Sequence, residues 1–285
     1  MNYFTKSLFF QISVLSLILS ACSVNKKNIL SEFNLKGKVK KLTEITYTAE
    51  EKFGELHKVS MEDKIIRLFN EKGNQLEYNK YNSSENLIDR HISKWDNKEN
   101  VIELKTYDTN GILKSKYLYT YGEKGRKIKY DEYNSSDSLI AIHIPKYDDK
   151  GNTIEVITNN SNGIIQSRYT SKYDKNNNNI EDVFYNTQGN VYSKYSYKYD
   201  SNNQVIEENS YDSDGTIGRK TINKYNDKRD IIESIESYSN PSFVNSYTYK
   251  YDGYDKVGNW VKQIKYIKVT NEVQIVVRER EIEYY

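Results

Sequence analysis

Eight aromatic residues recur every 26 positions without slippage: Phe69, Trp95, Tyr121, Tyr147, Tyr173, Tyr199, Tyr225 and Tyr251, most of them followed by Asp or Asn. A fixed period of this length describes an array of identical supersecondary units, each too small to bury a face alone. With the anchor as position 1, position 8 is Leu76, Ile102, Ile128, Ile154, Ile180, Ile206 and Ile232, and position 19 is Leu87, Leu113, Leu139, Ile165, Val191, Ile217 and Phe243. A second aromatic, again followed by Asp or Asn and then commonly Gly, stands at position 13 in Tyr81, Tyr107, Tyr133, Tyr185 and Tyr211. Asp or Asn opening a short loop and Gly accepting a left-handed backbone at its end is hairpin chemistry. Each unit therefore reads strand, turn, strand, turn.

The charged columns select antiparallel pairing. Position 9 is Glu in every repeat but one, from Glu77 to Glu233, with Lys129 the exception. In a parallel coil these carboxylates would stack about 4.8 Å apart, which is unfavourable. Folding each repeat symmetrically about positions 14 to 17 sets position 9 against the basic position 22 (Arg90, Lys116, Arg168, Lys194, Lys220) and position 8 against position 23. The expected fold is thus all-β: an elongated, twisted antiparallel meander of 26-residue hairpin repeats, curled where its apolar face needs shielding. Positions 1, 8, 19 and 23 form that face, and the Glu, Lys and Arg columns form the wet one. Some sixteen strands would extend roughly 75 Å if flat, and sheets that large curl, split or close.

The expected organisation is a signal peptide at 1–21, a lipidated tether at 22–33, an N-terminal β cap at 34–68, seven hairpin repeats over 69–250 and a C-terminal cap at 251–285. Lys6, the apolar stretch from Leu8 to Leu19 and the sequence Leu19-Ser20-Ala21-Cys22 resemble the export signal and lipobox of bacterial lipoproteins. That resemblance implies cleavage before Cys22, the sole cysteine, and its acylation, which anchors a chain without spanning the membrane. Ser23 after the cysteine implies the outer membrane of a diderm envelope. The charge-dense ending Arg278 to Tyr285 reads as an edge strand that discourages further pairing.

Tyr147-Asp148-Asp149-Lys150-Gly151-Asn152 resembles the Tyr-Asp (YD, or RHS-type) repeats of bacterial envelope and secreted proteins. The pattern from Phe69 to Trp260 is similar to that of Bacteroidota-type repeat lipoproteins. Family repeats are shorter and carry Gly-Arg after the turn, present here only as Gly125-Arg126. The resemblance implies hairpin repeats and, in some members, glycan or ligand contact, with no catalytic residue to carry over.

Functional signals are sparse. With 42 basic and 40 acidic residues the chain has no field for nucleic acid. His91 and His143 fall in a mostly tyrosine column and read as packing substitutes, His57 stands apart, and no histidine accompanies a nucleophile. No cofactor or metal is expected; the Asp and Asn loops lack the terminal Glu of a calcium loop. The outward tyrosines Tyr81, Tyr107, Tyr133, Tyr185 and Tyr211 are the candidate contact residues for a glycan or protein. The expectation is a non-enzymatic binding or scaffold lipoprotein, held to the membrane through Cys22. An immunity-type partner of a toxin is the alternative, and an envelope carbohydrate-active enzyme a more distant one.

Overall fold

The computed structural model describes residues 29–123, 125–239, 242–269 and 272–285, with backbone only for Glu32 and Ser242. Cys22, the signal peptide and most of the tether lie outside the described residues. A single helical turn, α1 (Ile29–Glu32), leads into eighteen strands among the described residues, starting with β1 (Val39–Lys52) and β2 (Glu55–Phe69). The repeats follow from β3 (Gln75–Asn82) and β4 (Leu87–Trp95) through to β16 (Ser242–Tyr251), and β17 (Lys262–Val269) and β18 (Glu272–Tyr284) complete the chain. Every strand is antiparallel to its sequence neighbour, as the repeat pattern predicts.

The sheet is neither open nor merely curled. β1 pairs with β18 from Val39↔Tyr284 to Ala49↔Ile275, so the meander closes into an eighteen-stranded barrel. The two flanking segments expected to cover edges are the strands that abolish them. The charges of the C-terminal strand, which suggested a blunted edge, find opposite charges across the seam: Lys41 meets Glu283 at 2.8 Å and Lys58 meets Glu279 at 2.9 Å. Closure is the full solution to unpaired edge groups.

Each turn joining β2 through β15 carries one more residue than symmetric folding allows, and this shifts the register. In Asp148–Asn152 the Gly151 amide donates to the Asp148 carbonyl at 3.0 Å, the Asp148 amide donates to the Asn152 carbonyl at 3.0 Å, and the Asp148 carboxylate accepts the Asn152 amide at 2.7 Å. The residue before the last is left-handed: Gly151 has φ 90°, and where Gly is missing Glu85, Glu99 and Asn177 still adopt φ of 57°, 63° and 64°. A bulge follows each of these five-residue turns between β2 and β15, as between Lys80 and Tyr81, whereas the β15–β16 hairpin closes at Ser239↔Ser242 without one. Position 9 therefore lies opposite position 24 (Glu77↔Ile92), and position 10, not 8, lies opposite position 23 (Tyr78↔His91). The slip is two residues, an even number, so the faces keep their identity while the partners change.

The bulges also relocate the aliphatic columns. Position 8 sits at the bulge instead of on a buried face, and Ile102, Ile128 and Ile154 remain 39%, 51% and 38% exposed. Position 19 stands at the far turn, where Ile165 and Val191 are 51% and 46% exposed. There is accordingly no greasy face built from positions 1, 8, 19 and 23.

The anchor column has its own chemistry. Each anchor from Trp95 onward donates its side-chain N–H or O–H to the carbonyl of position 7 in the preceding unit: Trp95 to Gln75 at 2.9 Å, Tyr121 to Val101 at 2.8 Å, Tyr199 to Asn179 at 2.7 Å and Tyr251 to Ile231 at 2.8 Å. A buried carbonyl without a partner is costly, which explains a column of aromatic donors. The first anchor has no preceding unit to serve and is Phe69, buried to 1%.

Candidate functional site

On a closed barrel the convex face splays its side chains and the concave face crowds them. The convex face carries the charged columns in ordered rows. Glu103, Glu155, Glu181 and Glu207 at position 9 each lie between two cations, as Glu181 does between Lys172 at 2.7 Å and Lys194 at 3.0 Å, and Glu207 between Lys198 at 3.0 Å and Lys220 at 3.1 Å. Position 26 is thus a second basic column, one that symmetric folding leaves unpartnered. Of the five acid and base pairs expected across a hairpin, four form, diagonally; the fifth, Glu103 with Lys116, does not, because Glu103 takes Lys94 and Lys105 while Lys116 turns to Asp137.

The five tyrosines singled out from the sequence all stand on this convex face, in one row. A cation caps each ring: Lys64 over Tyr81 at 5.8 Å, Arg90 over Tyr107 at 5.7 Å, Lys116 over Tyr133 at 4.5 Å, Arg168 over Tyr185 at 4.1 Å and Lys194 over Tyr211 at 5.0 Å. One ring face of each is therefore already engaged. A lipid-facing barrel needs an outward apolar band about 25 Å tall. Rows of paired Glu, Lys and Arg along the whole repeat region are the opposite of such a band, so this wall faces water.

The concave face holds positions 10, 12, 21, 23 and 25, and here the columns are not uniform. Tyrosine hydroxyls meet carboxylates at three places, Asp182 buried and Glu132 and Glu236 half-buried. Tyr117 donates to Glu132 at 2.9 Å, and His143 lies 3.3 Å from the same carboxylate while stacking on Tyr130 at 4.3 Å between centroids. Burial works against ionisation of Glu132, but the hydrogen bonds from His143 and Tyr117 hold its pKa below the ordinary value. Asp182 accepts from Tyr169 at 2.6 Å, Ser171 at 2.7 Å, Asn179 at 2.7 Å and Tyr197 at 3.3 Å. Glu236 accepts from Tyr247 at 2.8 Å and Tyr238 at 3.0 Å. Burial first, and the neighbouring carboxylates second, push the hydroxyls of Tyr117 and Tyr169 well above the usual tyrosine range, so they remain donors.

His91 and His143 both face the lumen as wall members. His91 is 3% exposed, with Nε2 3.1 Å from Asp89 and its ring 5.2 Å from Tyr78. His143 Nδ1 lies 2.9 Å from the Thr158 hydroxyl. Among the described residues no three His, Cys, Asp or Glu side chains converge as a metal site.

The segment that enters β1 lies along the mouth formed by the anchor-side turns. Ile29, Leu30 and Leu35 are buried with Val39, Leu42 and Phe69, and Phe33 packs against them. Asn34 donates to Asp230 at 2.7 Å and to the Lys228 carbonyl at 3.1 Å. Asn259, 1% exposed, accepts the Lys36 amide at 2.7 Å and donates to the Lys36 carbonyl at 2.9 Å. Small barrels of about eight strands fill with side chains, whereas sixteen to eighteen strands leave an aqueous interior. Ring contacts and ion pairs of this wall accordingly join neighbouring or next-neighbouring strands.

No protein-family model matches the chain, and no curated protein matches it. Among solved structures it is similar to a porin-like protein from Bacteroides uniformis, with a TM-score of 0.46 at 11% identity over 87% of this chain and 99% of that one. It is also similar to the TcdB2-TccC3-Cdc42 structure, with a TM-score of 0.35 at 12% identity over 81% of this chain and 15% of that one. A DUF1329 family protein from Desulfovibrio piger gives a TM-score of 0.20 at 10% identity over 86% of each chain. These are likenesses of all-β architecture at low identity. The luminal columns went unread in the sequence because they vary from repeat to repeat, and the one signal that could have found them is that their irregularity has period two beside the uniform outer columns.

Proposed function

We propose that this chain is a non-enzymatic binding protein of the cell envelope, tethered through an acylated Cys22, which takes a glycan into its water-filled lumen. The supporting observation is the concave wall itself, where tyrosines are held in place by carboxylates at Glu132, Asp182 and Glu236. Fixed rings offer flat apolar area at little entropic cost, and hydroxyls and carboxylates between them match the alternating polar and apolar faces of sugars. The outer tyrosines are the weaker candidates because their cationic caps already occupy one face. No catalytic step is part of this proposal: His91 is held by Asp89, and His143 by the Thr158 hydroxyl and Glu132, as members of the wall.

Retention of envelope glycan by the purified protein tests this. Replacing Tyr117 and Tyr247 with Ala is expected to weaken retention at least tenfold, whereas replacing Tyr107, Tyr185 and Tyr211 together is expected to leave it unchanged. The reverse pattern would move the site to the outer wall, and a co-purifying toxin with no glycan retained would favour an immunity role. Anchoring is tested separately: Cys22→Ser is expected to move the protein from the detergent phase to the aqueous phase.

A further inference from the structure

The lumen is not electrically even. On the arc of β17, β18, β1 and β2 the concave face presents Lys265, Arg278, Arg280 and Arg67. One carboxylate, Glu44, stands between two of them, 2.6 Å from Arg67 and 3.1 Å from Arg280. These three side chains are 9%, 12% and 6% exposed in the order Glu44, Arg67, Arg280, and aromatic lids complete their enclosure: Phe33 lies 4.4 Å from Arg67 and Trp260 3.5 Å from Arg280. Even so, one anion serves two guanidiniums, and Arg67 Nε and Arg280 Nη1 are left without an acceptor.

Further along the same wall the surplus opens to the lumen. Arg278 is exposed, faces Gln263 across the ladder and forms no ion pair with any described carboxylate. Lys265, its diagonal neighbour, lies 4.2 Å from the Tyr247 ring and 5.5 Å from that of Tyr249, and burial together with Arg278 lowers its pKa. The nearby luminal acids are occupied elsewhere, Glu236 by two tyrosine hydroxyls and Asp63 by Lys80 at 3.1 Å. A chain balanced overall, whose outer charges are paired row by row, thus concentrates unpaired cations in one concave sector, where their fields add.

We infer that this arc seats an anionic group of the ligand, a carboxylate or phosphate carried on a glycan, with Arg278 in direct contact and Lys265 and Gln263 beside it. The inference rests on the luminal-binding reading and specifies the ligand's charge. Arg67, Glu44 and Arg280 hold the wall in place without reaching the ligand.

The test uses the full chain in detergent on an array of uronic-acid, phosphorylated and neutral glycans of matched length. Acidic glycans are expected to be retained at least tenfold better than neutral ones, and Arg278→Gln is expected to erase that preference without lowering the melting temperature, since Arg278 forms no ion pair and its attraction to Glu44 is opposed by repulsion from Lys265 and Arg280. Lys265→Met should reduce the preference less, and the outer-face control Lys172→Gln not at all. Retention of uronic-acid chains alone would assign a carboxylate, and of phosphorylated chains alone a phosphate. Equal retention of acidic and neutral glycans, unchanged in Arg278→Gln, would overturn the anionic seat and leave luminal binding standing; no retention of any glycan would remove both.

Discussion

Glu207 and Glu208 are consecutive in the chain and stand on opposite faces of the same wall. Glu207, outside, has the side-chain amide of Asn209 at 3.0 Å with Lys198 and Lys220 on either side, and these hydrogen bonds hold its pKa down to about 2. Glu208, inside, has Arg219 at 2.5 Å, yet burial and the neighbouring Glu236 raise its pKa above the ordinary carboxylate value. The outer surface solves one electrostatic problem and repeats the answer in each unit. The inner surface solves a different problem in every unit, with Tyr at one height and His, Asp or Glu at the equivalent place elsewhere. Uniformity outside sets register; variety inside is where recognition can be specific.

The largest expected effect lies at the seam between β1 and β18. Removing the carboxylate of Glu44 leaves Arg67 and Arg280 buried and uncompensated, so Glu44→Ala is expected to lose about 3–5 kcal/mol in denaturant unfolding. A loss below about 1 kcal/mol would mean that the seam is not held by this triad. Next in size is the anchor column: Tyr199→Phe removes the side-chain donor to the Asn179 carbonyl and should cost about 1–2 kcal/mol, whereas Phe69→Tyr gains no such bond and should not stabilise. Smaller still is the outer row. Lys198→Met removes an exposed partner of Glu207 and should cost only about 0.2–1 kcal/mol, and less at high salt.

The two faces should also separate by pH, the gentlest of the tests. A carboxylate whose pKa is depressed on folding stabilises above its unfolded pKa and loses that contribution as pH falls through the folded value. Glu207 is therefore expected to support the fold at neutral pH and to withdraw that support between about 4.5 and about 2. Glu208 has the opposite sign: its ionised form is disfavoured by folding, so protonation relieves a cost as pH falls. Carboxyl-carbon NMR titration should show Glu208 taking its proton before Glu207, and the reverse order would refute the assignment of the faces.

Much of the wall was legible in the residues. The period, the two turns per unit, the antiparallel sense and the placing of Tyr81 through Tyr211 on the charged face all follow from column chemistry. The partners across each hairpin did not, because the left-handed residue and the bulge after it consume positions that a symmetric fold assigns to the ladder. Ile102 shows the consequence: an invariantly aliphatic column reads as core, yet the bulge leaves it 39% exposed. The lumen was least legible, since positions such as Tyr78, Leu104, Tyr130, Val156, Asp182 and Glu208 share a column but no chemistry.

By itself the sequence determined the repeating unit, because hairpin turns and alternating charge are local and each segment encodes its own. Only the tertiary structure decided that the array closes. Closure depends on whether the twist accumulated over all the repeats brings β1 and β18 within hydrogen-bonding distance, and no single repeat carries that information. The inside of the barrel, and with it the cationic arc of Arg67, Arg278, Arg280 and Lys265 drawn from both ends of the chain, comes into being only once those strands meet.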